Sequence, residues 1–89
     1  MSRIVVIHDV VDVEKWLGFK SERAEAIGML GGSNVVDHVA QDGSKTVAIA
    51  AEVSDVDALM AAISSPPPDV WAVMERHGVV PPLTIYVEQ

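Results

Sequence analysis

Two histidines and one tyrosine fall in segments that read as β-strands. His8 follows the apolar run Ile4-Val5-Val6-Ile7, His38 follows Val35-Val36-Asp37, and Tyr86 lies within Leu83-Thr-Ile-Tyr-Val-Glu88. Imidazole exchanges a proton near neutral pH and can serve as a general base, while a phenol can orient a substrate oxygen or an enolate. Two His with Asp9, Asp37 or Glu52 nearby could make a mixed nitrogen–oxygen metal site, but no H-x-H or H-x-x-x-H spacing occurs, so no metal is expected. Cysteine is absent, which removes thiolate nucleophiles, disulfides and Cys-ligated metals. His77, after Arg76 and before Gly78, reads as a cation at a helix C-terminus, where the dipole favours it.

Three larger aromatics could shape a pocket. Trp16 and Phe19 are one turn apart on a predicted helix, so they wall a hydrophobic pocket or simply fill core. Trp71, beside the Pro66-Pro67-Pro68 run, reads as an exposed lid or interface anchor. The Gly28-Met-Leu-Gly-Gly32 segment closes a helix instead of opening one, so it is not a phosphate loop, and no G-x-S-x-G elbow is present. No cofactor is expected.

The elements that must position these residues follow from pattern. Arg3–Val10 is a β-branched strand, and Asp12 is an N-cap for a helix over Val13 to Leu30 carrying Val13, Trp16, Leu17, Lys20, Ala24 and Ile27 on one stripe. Gly31-Gly32-Ser33-Asn34 ends it. Strands over 35–41 and 45–53 form a hairpin about Asp42-Gly43. Ser54-Asp-Val-Asp57 resembles a capping box before a second helix with Val56, Leu59, Met60 and Ile63 on one face. A short third helix over 69–77 is capped by Gly78, Val79-Val-Pro-Pro82 is a stiff connector, and 83–88 is the last strand. The resulting order, β-α-β-β-α-(α)-β, is an α+β split βαβ or ferredoxin-like arrangement in a single domain over residues 1–89.

Composition narrows the partners. Of 89 residues, 49% are hydrophobic and only four aromatic, which is much apolar material for a small chain and suggests that a second copy covers one sheet face. A net charge of −7, with Lys and Arg scattered, disfavours nucleic acid and anionic membranes. The same charge would suit docking to a basic partner, although a solvated acidic surface explains it equally. The apolar opening is too short for a signal peptide and nothing approaches a membrane span, so a cytoplasmic protein is expected.

The segments "VVIHDVVDVEKWLGFK", "GSNVVDHVAQDGSKTVAIAAEVSDVDALMAAISS" and "MERHGVVPPLTIYVEQ" resemble the dimeric α/β-barrel superfamily, which includes antibiotic-biosynthesis monooxygenases, muconolactone isomerase and uncharacterised cyclase-like single domains. The proline run at 66–68 departs from that pattern. The resemblance implies a homodimer with two four-stranded antiparallel sheets face to face, and strand order 4-1-3-2. On that order, pleat parity sends Val5, Ile7, Val35, Val47, Ile49, Ile85 and Val87 towards the helices. It sends Ile4, Val6, His8, Val36, His38, Thr46, Ala48, Ala50, Thr84 and Tyr86 to the face a partner would cover.

His8, His38 and Tyr86 are therefore the candidate catalytic set, as a partly polar cavity or as interface residues satisfied across the two-fold. Trp16, Phe19, Ala48, Ala50 and Trp71 are the candidate ligand-binding set. Two functions are compatible with this sequence. One is a homodimeric domain of unassigned role that binds a small hydrophobic ligand. The other is a cofactor-independent monooxygenase, isomerase or cyclase acting on an aromatic or polyketide-like substrate.

Overall fold

A computed structural model describes all 89 residues. Strand β1 (Ser2–Val10) leads to helices α1 (Val13–Leu17) and α2 (Lys20–Met29), then β2 (Gly32–Val39) and β3 (Thr46–Val53). Helices α3 (Val56–Ser64) and α4 (Pro68–Arg76) precede β4 (Val79–Val87). All pairings are antiparallel in the order β2-β3-β1-β4, and the helices pack on one face. This is the expected ferredoxin-like α+β fold with the expected strand order. No helix is long and apolar enough to cross a membrane.

Local chemistry accounts for most boundaries. Asp12 caps α1 by accepting from the Lys15 N–H at 3.2 Å. The predicted long first helix is two helices, broken at Gly18-Phe19, and the turn lets Trp16 and Arg23 approach one another. Asp55 rather than Ser54 caps α3, accepting from the Ala58 N–H at 3.0 Å. Gly78 takes φ +75°, a conformation that a β-carbon would disfavour and that glycine, lacking one, adopts freely, and so stops α4 directly after His77.

The segment expected as a connector, 79–82, belongs to β4. Proline cannot donate to a ladder, yet Pro81 and Pro82 are tolerated because β4 is an edge strand and its register with β1 shifts between Ile7 and Asp9. That irregularity sits beside His8. Strand β2 likewise begins earlier than expected, at Gly32, with its own register shift between Ser33 and Val36.

The face assignment needs one correction, confined to β1. Ile4 opposes Ala51, Val6 opposes Ile49 and His8 opposes Val47. Ile4, Val6, His8 and Val10 are buried beneath the helices, while Val5 and Ile7 lie on the open face. The other strands divide as expected. A one-residue change of pairing inverts every side chain of a strand, and a run that is apolar on both faces carries no alternation to prevent it. The core comprises two groups. Ile4, Val6, Ala51, Val53 and Leu59 form one, and Val10, Trp16, Val47 and Ile49 form the other.

Candidate functional site

Between the two core groups, beneath the helices, lies a cavity of about 100 Å³. Its wall is largely aliphatic, with Ile4, Val6, Ile49 and Leu59 among its residues, and its polar members are His8, Trp16, Arg23 and His77. Strand β1 supplies His8, α1 supplies Trp16, α2 supplies Arg23, and the end of α4 supplies His77.

His8 is buried, and its Nδ1 lies 2.9 Å from the Asp9 carbonyl oxygen. A carbonyl only accepts, so Nδ1 carries the hydrogen and Nε2 holds the lone pair. No protein donor meets that nitrogen. Burial pushes the His8 pKa down, partly offset by the Asp9 carbonyl contact, so the neutral base is the form present at pH 7. Trp16 packs edge-on to His8 with ring centroids 6.3 Å apart. Its indole N–H is buried without an acceptor, which is costly for a donor.

Arg23 organises the rest. Its guanidinium pairs bidentately with Asp37, Nε to Oδ1 at 3.1 Å and Nη2 to Oδ2 at 2.9 Å, and both side chains are nearly fully buried. Nη2 also donates to the Trp16 carbonyl at 3.0 Å, and Nη1 donates to His77 Nδ1 at 3.3 Å. The guanidinium carbon lies 3.9 Å from the centroid of the Trp16 ring. Since arginine only donates, His77 Nδ1 is the acceptor and Nε2–H donates to Glu22 Oε1 at 2.8 Å. Phe19 stacks on that imidazole at 4.5 Å. Desolvation first, and the Arg23 charge, push the His77 pKa down against the opposing pull of Glu22. The two buried histidines are thus opposite tautomers: His8 offers a free acceptor, whereas both nitrogens of His77 are committed.

The predicted catalytic set is divided by the sheet. His8 belongs to the cavity, but His38 is exposed on the open face, with Nδ1 donating to the Val36 carbonyl at 3.1 Å. Tyr86, 58% exposed, shares that face. His38 and Tyr86 lie on opposite edge strands, three strand spacings or about 14 Å apart. Ala48 and Ala50 also lie on the open face and do not line the cavity. Of the ligand-binding set, Trp16 walls the cavity and Phe19 backs it through His77. Trp71 is 43% exposed over an outer groove.

Arg23, Asp37 and His77 were not singled out as a site by sequence reasoning. A signal existed for two of them. Arg23 stands seven residues after Trp16 and four before Ile27, on the stripe that faces the sheet, and a cation there calls for a buried partner. Asp37 shares the helix-facing parity of Val35, where a carboxylate needs a cation.

No family model matches the chain, and no curated protein matches it. Solved structures do match over its whole length. An antibiotic biosynthesis monooxygenase aligns with TM-score 0.63 at 12% identity, covering 97% of that chain. A candidate antibiotic biosynthesis monooxygenase from Bordetella bronchiseptica aligns at 0.61 and 17% identity, also over 97% of its length. A third, from Deinococcus radiodurans, aligns at 0.58 and 12% identity over 91% of its length. At such identities the likeness concerns architecture: the chain has the ferredoxin-like fold of antibiotic-biosynthesis-monooxygenase-like proteins.

Proposed function

We propose that the protein binds a small apolar phenol or enol in the cavity between sheet and helices, and that His8 removes its acidic proton. The supporting observation is the pair of unpartnered polar groups in an otherwise aliphatic enclosure, the Trp16 indole N–H and the His8 Nε2 lone pair. With the wall yielding to admit it, an oxygen placed between them would receive a hydrogen bond from Trp16 and give its proton to His8. The Arg23 cation, stacked on Trp16, favours the resulting anion.

The names of the structural neighbours favour dioxygen as the co-substrate. A phenolate can supply the electrons itself. One atom of O₂ becomes a second ring carbonyl, the other leaves as water, and the phenol becomes a quinone with no external reductant. His8 takes the phenolic proton and returns it to the departing oxygen, and the ring C–H bond that breaks as the second carbonyl forms supplies the other proton of the water.

The open sheet face supports a dimer. Val5, Ile7, Val36, Ala48, Ala50 and Tyr86 present an apolar surface that a second copy would cover. This face lies across the sheet from the cavity, so pairing would shield the sheet without filling the site.

Oxygen uptake and quinone absorbance with phenol test the reading. Replacement of a general base is expected to lower kcat about 10²–10⁴-fold in His8→Ala, with phenol still altering Trp16 emission. Binding without turnover in the wild type would remove the base assignment and leave a ligand-binding domain. Failure of phenol to perturb Trp16 would overturn both.

A further inference from the structure

Outside the cavity a second concavity of about 450 Å³ lies between α3, α4 and β4. Ile63, Met74 and Leu83 border both spaces, so a single layer of side chains separates them. The outer groove is floored by Met60, Trp71, Pro81 and Pro82, and no charged residue borders it, although the chain carries a net charge of −7.

Volume decides what the inner cavity can hold. An engineered cavity of about 150 Å³ accommodates benzene, so 100 Å³ holds one ring at most, and then only with some yielding of the wall. Sites for larger small molecules span roughly 300–1,000 Å³, the scale of the outer groove and not of the inner cavity. A protein partner would instead require about 800 Å² from each side.

The geometry points to a bipartite site for an elongated, uncharged ligand. Its phenolic or enolic head lies in the inner cavity at His8 and Trp16, and its apolar tail lies in the outer groove over Trp71 and Pro81-Pro82. This rests on the head-group reading above and adds the substrate class, a phenol or enol bearing a planar or aliphatic extension. Met74 is the opening between the two compartments. Its unbranched thioether adopts many rotamers at little cost, and it lies on α4 one turn from Trp71, so a passing chain displaces one flexible side chain and no backbone. Pro81 and Pro82, which the irregular pairing admits, form part of the groove's β4 wall.

The test uses phenol, 4-propylphenol and 4-heptylphenol, with calorimetric titration of the wild-type protein and of Trp71→Ala. Trp71→Phe leaves Trp16 as the sole tryptophan to report the head group. Phenol should perturb Trp16 and bind both wild type and Trp71→Ala equally. Wild-type affinity should rise with chain length, approaching fourfold per methylene once the tail reaches the groove. Trp71→Ala should lose about tenfold for 4-heptylphenol, and Met74→Trp, which fills the opening, should abolish the chain-length gain while phenol still binds.

A chain-length gain that survives both substitutions would overturn the bipartite site and leave the head-group reading intact. Silence of Trp16 towards phenol would instead sink the head-group reading. Trp71 emission that shifts with protein concentration, with no response to 4-heptylphenol, would assign the groove to a second copy of the chain and overturn the proposal.

Discussion

The two faces of the sheet contain similar residue types and put them to opposite uses. The helix-covered face holds His8, Asp37 and Arg23 out of water, each with a defined hydrogen-bonding state. The open face displays His38 and Tyr86 to solvent, where His38 meets only the Val36 carbonyl of its own strand. A histidine becomes chemically specific through its enclosure. His8 and His38 are both strand residues following apolar runs, yet only His8 has its tautomer set beside a space a ligand can enter.

The enclosure depends on a buried ionic pair, and breaking it should have the largest effect. Asp37→Ala leaves the Arg23 guanidinium uncompensated, which costs about 3–5 kcal/mol in comparable buried pairs, enough to unfold much of a small domain. Urea denaturation would measure it. Replacing both partners with apolar residues, Asp37→Leu with Arg23→Met, should recover most of that stability while losing the placement of Trp16 and His77. Recovery of phenol turnover in the double variant would show that the network serves stability alone.

The open face is broken differently. Ala48 lies at its centre, opposite Ile7 on one side and His38 on the other. In the proposed dimer, Ala48→Glu should raise the dissociation constant at least tenfold, since an interface core must then desolvate two carboxylates. The monomer fold should be retained, because the side chain points away from the helices. Sedimentation equilibrium would read the change. By contrast His38→Ala should alter phenol turnover less than twofold; a loss comparable with that of His8→Ala would return His38 to the site.

The smallest expected effect is the pH dependence of stability. His8 and His77 both have pKa values lowered by burial, so the unfolded chain binds their protons more readily than the native one. Their contribution is present above the unfolded value near 6.5 and is lost as pH falls from there through the lowered folded values. Glu22, lowered by its bonds to His77 and Arg76, acts in the same direction at more acid pH. Stability should therefore decline between pH 8 and 5.5, and His77→Gln, which can still accept from Arg23, should flatten that decline. A flat wild-type profile would contradict the buried neutral state of both rings.

Much of this architecture was legible from local chemistry. Asp12 caps, Gly78 stops α4, Gly43 turns the β2–β3 hairpin with φ +77°, and alternation in β3 and β4 separates their faces correctly. Those features depend on residues a few positions apart, whose energetics the chain carries with it into any fold. The face of β1 was not legible, because Ile4-Val5-Val6-Ile7 satisfies either parity until it pairs with β3. Nor was the site. Arg23 meets Asp37 across 14 residues and His77 across 54, and their protonation states and burial arise only when β2, α2 and α4 pack together. Sequence alone determined which elements form and that acid–base residues were available. Tertiary structure decided which of them share a dry enclosure, because desolvation and long-range pairing are properties of the packed chain.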